Sequence, residues 1–295
     1  MSTDMKEQVW FITGSSRGFG RALVGAVLEG GDRVAATARH PEDLAEEFKE
    51  YGDRILPLAL DVTNPDAAHE GVRAALAHFG RIDVLVNNAG YANVSPIETT
   101  DDDDFRAQFE TNFWGVYNVT KAALPALRRQ ASSTVVQFSS VGGRVGGSPG
   151  IASYQAAKFA VDGFSRVLAV ETAPFGVRVM VVEPSGFATD WSGSSMTVHP
   201  VPDAYDKTVG EMNRLIRQNT AGAAGDPQRA AEIIVRTVRG GQVPSHLLLG
   251  VNAVTMSLDY SRRQLSEATA WEKVSRSADF GEPYPVELPT EDTAD

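Results

Sequence analysis

Short apolar segments alternate with longer amphipathic segments along almost the whole chain. The apolar segments are four to six residues long and rich in Val, Ile and Leu, which predicts buried strands. The longer segments have the pattern of helices that cover one apolar face. The predicted strands are 9–12, 33–37, 55–60, 82–86, 134–138, 177–182 and 246–250. The predicted helices are 19–28, 43–51, 65–80, 101–130, 153–172 and 227–240.

This alternation indicates βαβ units, and therefore an α/β fold with a parallel sheet covered by helices on both faces. Right-handed crossovers make a doubly wound sheet the natural arrangement of such units. We expect one domain over residues 1–276, because no repeat or low-complexity linker divides it, and a loosely ordered acidic tail over 277–295. A long irregular region is expected at 184–226. The acids at 101–104 fit a helix N-terminus better than a reactive cluster.

Composition and charge exclude several classes of function. The 295 residues include no cysteine, which rules out disulfides, thiolate metal sites and cysteine nucleophiles. The net charge of −11 gives no electrostatic reason to bind nucleic acid or an anionic membrane. No apolar run approaches the roughly 20 residues that cross a bilayer, and the first residues lack the apolar segment of a signal peptide. We therefore expect a soluble cytoplasmic protein, and we predict no metal site.

A glycine-rich stretch, TGSSRGFG, joins the first predicted strand to the first helix at residues 13–20. Glycines at this point permit a tight turn and the close approach of a pyrophosphate, and the helix N-terminus supplies free N–H groups. A glycine cluster alone is a weak signal, but its place in the first βα turn of a doubly wound sheet favours a nucleotide site. The spacing is G-x-x-x-G-x-G rather than G-x-G-x-x-G.

Together with other motifs, this loop resembles the short-chain dehydrogenase/reductase family, in the subgroup with TGxxxGxG and YxxxK. The resemblance extends over residues 9–250, and its motifs follow the family's order. The further motifs are LDV at 60–62, NNAG at 87–90, Asn112, SS at 139–140, YQAAK at 154–158 and EPSGFATD at 183–190. The resemblance implies a Rossmann-type, mostly parallel seven-stranded sheet in the order 3-2-1-4-5-6-7. It also implies an oxidoreductase that interconverts a ketone and a secondary alcohol with a nicotinamide dinucleotide.

The resemblance gives a role to Tyr154 and Lys158, which lie one turn apart on the same face of their predicted helix. It implies that Tyr154 is the general acid/base, and an ammonium beside a phenol lowers the phenol's pKa. It further implies that Lys158 binds the nicotinamide ribose and that Ser140 binds the substrate oxygen. Asn112 and Gly115 are poor residues for a helix interior, which fits a local distortion. In the family, such an asparagine holds a water near the lysine and completes a proton relay.

Each of these residues also has a possible structural role. Tyr154 fits an amphipathic packing position, Ser140 a cap at a strand end, and Asn112 a residue that only distorts its helix. Ser139 is an alternative partner for the substrate oxygen. The segment from Ser140 to Tyr154 is one residue longer than is usual in the family, and we assign the extra residue to GGSPG at 146–150.

The end of the second strand predicts the choice of dinucleotide. In the family, an acid there binds the ribose hydroxyls of NAD, whereas a basic neighbour accommodates the 2′-phosphate of NADP. Here the position is Ala38, with Arg39 next to it and Arg17 within reach in the glycine loop. Two guanidinium groups without a carboxylate favour NADP(H) over NAD(H), although two solvated arginines are the simpler interpretation.

The remaining dinucleotide contacts are implied by the motifs. Asp61 and Val62 are expected to bracket the adenine, with a turn or cap as the alternative role of Asp61. Ser185 stands where the family usually has glycine, and Gly186 follows it. The full set of implied contacts is Gly14, Ser16, Arg17, Gly18, Phe19, Gly20, Arg39, Asp61, Val62, Asn88, Ala89, Gly90, Tyr154, Lys158, Pro184, Ser185, Phe187 and Thr189.

Family members carry a variable substrate lid after the sixth strand, which here spans 187–225. Its large apolar residues suit an apolar or aromatic ketone or alcohol, and packing of the lid onto the domain explains them equally well. These residues are Trp191, Met196, Tyr205, Met212, Leu215 and Ile216. His199 is expected to be an ordinary loop residue rather than a substrate contact.

Assembly is implied by the family as well. Its members commonly pair through the helices that carry the equivalents of Asn112 and Tyr154, which implies a homodimer or homotetramer. The amphipathic segment 256–274 is expected to cover either the substrate mouth or an oligomer face.

Three other functions compete with the oxidoreductase. An α/β hydrolase would need a G-x-S-x-G elbow after a strand, and we do not expect one here. A redox-neutral epimerase or dehydratase on the same scaffold would retain its dinucleotide tightly. A dinucleotide-sensing regulator need not keep a proton relay, so the complete set of Asn112, Ser140, Tyr154 and Lys158 argues against it.

Overall fold

Seven parallel strands form one sheet in the order β3-β2-β1-β4-β5-β6-β7 in the computed structural model, which describes residues 7–189, 196–219 and 225–289. This order confirms the predicted α/β fold. The strands are β1 (Val9–Thr13), β2 (Arg33–Ala38), β3 (Ile55–Ala59), β4 (Val84–Asn87), β5 (Ser133–Phe138), β6 (Val177–Pro184) and β7 (His246–Leu249). One continuous sheet supports the prediction of a single domain.

Helices connect the strands and cover both faces of the sheet. They are α1 (Gly18–Glu29), α2 (Glu42–Glu47), α3 (Pro65–Phe79), α4 (Asp102–Phe109), α5 (Gly115–Leu127), α6 (Gly142–Val145), α7 (Ala152–Thr172), α8 (Glu211–Asn219), α9 (Pro227–Arg239), α10 (Val251–Ala270) and α11 (Glu272–Arg276). None of the helices in the described ranges is long and apolar enough to cross a membrane.

The core lies in two layers because successive side chains of a strand point to opposite faces. Trp10 and Ile12 of β1 pack with α1 and α9 on one face, whereas Phe11 packs with α3, α5 and α7 on the other. Since all strands are parallel, their carboxyl ends meet at one edge of the sheet, where the motif-bearing loops also lie.

Three predicted elements differ from the structure. The helix predicted over 101–130 is α4 and α5 joined by a π-helical turn, Glu110–Trp114. The helix predicted over 43–51 is α2, which ends at Glu47 and is followed by a 3₁₀ turn, Lys49–Arg54. The region 184–226, expected to be irregular, contains α8. Its three apolar residues, Met212, Leu215 and Ile216, do have helical spacing, but the helix is short and the sequence analysis assigned all three to the lid.

The structure also shows how α4 begins and how the C-terminal part of the chain is arranged. Asp101 caps α4, and its carboxylate accepts hydrogen bonds from the backbone N–H groups of Asp103 and Asp104, which confirms the helix N-terminus. After its first two turns, α10 is largely exposed on all sides. Residues 277–289 form turns but no helix or strand, and a loosely ordered tail stays a prediction.

Candidate active site

A cavity of about 790 Å³ lies at the carboxyl edge of the sheet and is lined by residues from every predicted motif except Asn112. Of the implied dinucleotide contacts, all except Gly20 line it, as does Ser140, whereas Asn112 lies just behind the wall. The cavity also has lining residues that the sequence analysis did not predict, including Tyr91, Asn93, Gly142, Ser148, Ile151, Gln155, Thr197 and Asn252. Met256, from the segment 256–274, lines it as well. Most of these lie in connections whose course the sequence pattern does not predict.

The glycine loop is shaped by backbone conformations that favour glycine. Gly14 has a φ of 66° and Gly18 a φ of 54°. A Cβ built on Gly20 would lie 2.1 Å from the Gly14 carbonyl oxygen, so this residue serves close packing beneath the loop rather than the cavity wall. The first turn of α1 contains no acidic residue, and the Arg17 side chain does not cap it. The free N–H groups of α1 and the narrow loop therefore fit a pyrophosphate.

Hydrogen bonds hold the ends of β1 and β4 together under this loop. The Thr13 hydroxyl accepts from the backbone N–H groups of Asn88 and Ala89, at 3.0 and 3.1 Å. The Asn88 side chain donates to the carbonyls of Thr13 and Gly14, both at 3.0 Å. The NNAG motif thus fixes the position of the glycine loop as well as lining the cavity.

Two exposed arginines belong to the cavity wall. Arg17 and Arg39 both line it, and neither has a hydrogen bond or ion pair with any described residue. Asp61 lines the cavity too, but its carboxylate accepts hydrogen bonds from the backbone and hydroxyl of Thr63, so it also forms the turn considered as its alternative role. The free guanidinium groups fit a phosphate dianion.

The Tyr154 phenol and the Lys158 ammonium lie side by side on α7, both buried. The Tyr154 phenol shares a hydrogen bond with the Ser140 side chain. The Ser139 hydroxyl, by contrast, donates to the backbone carbonyl of Lys158 at 3.1 Å. The two serines therefore have different surroundings, and Ser140 is the one beside the phenol. Ser140 has a cap role as well, because its hydroxyl accepts from the Gly142 N–H at 3.0 Å.

The pKa of Tyr154 differs from the expectation. Burial raises it to about 12, and the hydrogen bond with Ser140 offsets this only in part. Lys158 does not lower it here: the Nζ atom lies 5.6 Å from the centre of the Tyr154 ring and donates to the Phe138 carbonyl at 2.7 Å. Burial lowers the pKa of Lys158 itself to about 8. The phenol is therefore held in its protonated form at neutral pH.

Asn112 lies in the π-helical turn between α4 and α5, as the expected distortion requires. It is fully buried, and its Nδ2 atom donates to the carbonyls of Tyr91 and Gln108, both at 2.8 Å. Its Oδ1 atom has no hydrogen-bond partner among the described residues. A Cβ built on Gly90 would lie 2.5 Å from this oxygen and 3.4 Å from Lys158 Nζ. The unused acceptor therefore faces the same small space as the ammonium.

Residues 146–150, to which the sequence analysis assigned the extra residue, form a glycine-rich connection between α6 and α7. Gly146, Gly147 and Gly150 have φ values of 66°, 76° and 87°. A Cβ built on Gly150 would lie 2.8 Å from Val209 and 3.0 Å from Val94. This connection therefore packs against Val94 and against Val209 of the lid.

Two of the six large apolar lid residues pack onto the domain. Met196 and Tyr205 lie against the apolar cluster that contains Tyr154, and the Tyr205 hydroxyl donates to Glu98 at 2.5 Å. Ile216 lines the cavity, while Leu215 is half exposed. Trp191 lies outside the described residues, as does Asp190 of the EPSGFATD motif. His199 does not line the cavity and lies 3.3 Å from Asp104.

The glycine loop also has the G-x-S-x-G spacing of a hydrolase nucleophile elbow, with Ser16 in the middle of GSSRG. Such a nucleophile needs a general base beside it. No histidine lines the cavity within the described part of the chain. The hydrolase interpretation of Ser16 therefore has no support here.

One group of side chains in the described ranges has the composition of a metal site: Asp162, Glu183 and His246. Both carboxylates are already paired with guanidinium groups, since Arg166 donates to Asp162 at 2.9 Å and Arg144 to Glu183 at 2.8 Å. These cations would repel a metal ion, and the group does not line the cavity. The absence of a metal from the active site stays a prediction.

Comparison with known proteins agrees with this geometry. Residues 8–198 match the sequence profile described as short chain dehydrogenase. The oxidoreductase BOA17 of Botryotinia fuckeliana (strain B05.10) is 47% identical over 248 residues, which cover 84% of this chain and 90% of that protein.

Solved structures show the same similarity. A short-chain dehydrogenase from Streptomyces avermitilis has a TM-score of 0.86 and 38% identity, covering 95% of this chain and all (100%) of that one. A 3-ketoacyl-(acyl-carrier-protein) reductase from Brucella melitensis, solved in complex with NADH, has a TM-score of 0.71 and 25% identity, covering 84% of this chain and 97% of that one.

Proposed function

The chain belongs to the short-chain dehydrogenase family, and from that premise we propose that it interconverts a ketone and a secondary alcohol with NADP(H), using Tyr154 as the general acid/base. It is an oxidoreductase that acts on CH–OH and C=O groups of small molecules, and its family uses NAD(H) or NADP(H). The observation that carries the finer proposal is the buried, protonated Tyr154 phenol beside Ser140 in the cavity wall.

The side chains around the phenol support a reduction. Ser140 and Tyr154 present two hydroxyl groups to one carbonyl oxygen, which would orient it. A phenol with a pKa of about 12 keeps its proton at neutral pH until charge develops on that oxygen, and then donates it. Lys158 would pass a replacement proton toward Tyr154, and the Asn112 Oδ1 atom would hold a water that supplies it, in the small space that both side chains face. The bound dinucleotide supplies the hydride.

The preference for NADP(H) rests on Arg17 and Arg39. Both are free guanidinium groups in the cavity wall, and Ala38 stands where a carboxylate would favour NAD(H). The structure of the Brucella reductase with NADH shows that a related protein accepts the other dinucleotide. The preference is therefore a property of these particular residues, not of the family.

A screen of ketones with NADPH and NADH tests the proposed function together with its cofactor. We expect reduced-dinucleotide absorbance to fall with some ketones, and faster with NADPH. In Arg39→Ala, kcat/KM for NADPH should fall about tenfold or more, because a charge-assisted hydrogen bond to the phosphate is lost, while kcat/KM for NADH is unchanged. Arg262→Ala is the matched control, since Arg262 is exposed on α10 and, within the described ranges, pairs only with Asp259.

Other results would change the proposal. Equal loss with both dinucleotides in Arg39→Ala would exclude a phosphate contact. Tight dinucleotide binding with no turnover of any ketone or alcohol would favour the redox-neutral or sensing functions instead.

The rate of ketone reduction should be constant up to about pH 8 and then fall about tenfold per pH unit, because Lys158 loses its proton there while Tyr154 keeps its own. Alcohol oxidation should rise with pH, because it needs Tyr154 to accept a proton. The two pH–rate profiles check this.

Unfolding would not explain such a fall. Because burial lowers the pKa of Lys158 from 10.5 to about 8, the unfolded chain binds more protons at this group between those values. The contribution of Lys158 to the free energy of unfolding therefore rises with pH across the window where reduction slows. A thermal midpoint that falls in parallel with the rate would contradict the assignment.

Assembly and substrate character are further parts of the proposal. Trp114, Phe159, Val167 and Val170 are apolar and exposed on the turn before α5 and on α7, which supports a homodimer or homotetramer through these helices. An apolar or aromatic substrate is supported by Ile151, Ile216 and Met256 in the cavity wall. We also propose a cytoplasmic location, from the acidic, cysteine-free composition.

A further inference from the structure

Gln155 follows Tyr154 on α7, and its side chain is buried with only 7% of its surface exposed. Its Oε1 atom accepts a hydrogen bond from the backbone N–H of Ser148 at 3.2 Å. Only the oxygen of an amide can accept from an N–H group, so this bond fixes which way the amide points. The Nε2 atom is then directed the other way, and it has no hydrogen-bond partner among the described residues.

This unused donor lies beside the group that would hold the reacting carbonyl. A Cβ built on Gly142 would lie 3.0 Å from Gln155 Nε2 and 3.4 Å from Ser140 Oγ. Gly142 has no side chain to stand between these two polar atoms, and all three residues line the cavity. A buried N–H group without an acceptor is costly, and in a native protein it calls for an explanation such as a ligand.

The charges of the cavity wall restrict the kind of acceptor. The charged lining residues in the described ranges are Arg17, Arg39, Asp61 and Lys158, and all four belong to the proposed dinucleotide contacts. Beside Gln155, the wall consists of neutral residues, namely Ser140, Gly142, Ser148 and Ile151. A neutral amide in such surroundings suits a carbonyl, ester or hydroxyl oxygen, whereas a carboxylate would be left without a counter-charge.

We infer that Gln155 is a specificity residue, whose Nε2 donates a hydrogen bond to a second, neutral oxygen of the substrate, one or two carbons from the reacting carbonyl. This rests on the proposed function, since it places the reacting carbonyl at Ser140 and Tyr154. The substrate class is then a neutral ketone with a neighbouring carbonyl, ester or hydroxyl group, such as a keto ester or a diketone. A role in anchoring the loop would explain why Gln155 Oε1 accepts a hydrogen bond from the Ser148 N–H. It would not explain why the Nε2 atom is buried without an acceptor among the described residues.

Two ketones of the same shape test this: ethyl benzoylacetate, and hexanophenone, which replaces its ester group with methylenes. The wild type should prefer the keto ester by about tenfold or more in kcat/KM, because a site with a buried donor discriminates against a substrate that leaves it unpaired. Gln155→Glu keeps an oxygen for the Ser148 N–H and, when its carboxyl is ionised, removes the donor. It should lose that preference by about tenfold while hexanophenone turnover stays within about threefold of the wild type.

The pH dependence of Gln155→Glu provides an internal control for the proposed hydrogen bond. As the pH falls and the new carboxyl takes up a proton, its O–H group can donate, so Gln155→Glu should regain preference for the keto ester in acid while the wild type does not. Gln155→Leu, which has neither donor nor acceptor, should lose the preference at every pH. Dinucleotide affinity and the thermal midpoint report whether each variant folds. If Gln155→Glu does not fold, the ratio in Gln155→Leu decides.

The possible failures are distinct. An equal loss for both ketones in Gln155→Glu and Gln155→Leu would mean that Gln155 only anchors the loop, and an unchanged ratio would mean that Nε2 contacts no substrate oxygen. Either result overturns the inference and leaves the proposed function intact. Turnover of neither ketone by the wild type, with dinucleotide bound, would count against the proposed function and against the inference that rests on it.

Discussion

Tyr154→Phe should lower turnover by about 10²- to 10⁴-fold and leave dinucleotide binding close to that of the wild type. The variant removes the phenolic proton and the hydrogen bond with Ser140, but it keeps the ring. The ring packs in the apolar cluster with Ala92, Val94 and Ile151, so the fold should be retained. Steady-state turnover of a ketone, with a separate fluorescence titration of NADPH, measures both effects.

Tyr117→Phe is the matched control, because Tyr117 is a half-buried tyrosine of α5 that does not line the cavity. It should behave as the wild type in both measurements. If Tyr154→Phe retained more than about a tenth of the wild-type turnover, the phenol would be a packing residue, and another group would have to supply the proton.

Gly20→Ala should destabilise the protein and weaken dinucleotide binding at the same time. The added Cβ would lie 2.1 Å from the Gly14 carbonyl oxygen and 2.6 Å from Asn88 Nδ2, so the glycine loop would have to move. Forcing a methyl group into such a space costs about 1–3 kcal/mol or more in the free energy of unfolding. We expect the Kd for NADPH to rise by at least about tenfold, measured by titration, and the thermal midpoint to fall.

Gly25→Ala in the same helix provides the control. A Cβ there would meet only the Phe48 ring, at 3.9 Å, which is ordinary contact. Alanine is a better helix former than glycine, so this variant should raise the free energy of unfolding by about 0.5–1 kcal/mol without changing dinucleotide affinity. Normal binding in Gly20→Ala would show that the loop tolerates displacement and does not set the dinucleotide site.

Local sequence patterns were enough to predict much of this structure. The alternation of apolar and amphipathic segments predicted the α/β fold, because the repeats of strands and helices depend only on neighbouring residues. The i and i+4 spacing put Tyr154 and Lys158 on one face of α7 for the same reason. The position of TGSSRGFG after the first predicted strand indicated a glycine loop. In the structure this loop connects β1 to α1, as predicted.

The properties that depend on distant segments were decided by the tertiary structure. The pKa of Tyr154 rises to about 12 because loops from several strands bury the phenol, and no local pattern reports burial of that kind. Ser139 and Ser140 differ only in what lies opposite each of them. The state of Gln155 also depends on distant segments. In the sequence it is only a polar residue next to Tyr154. Its amide is oriented, with an unpaired donor, because the fold brings Ser148 and Gly142 against it. Sequence therefore determined which elements form and which residues share a face, whereas packing between remote segments determined burial, charge state and hydrogen-bond partners.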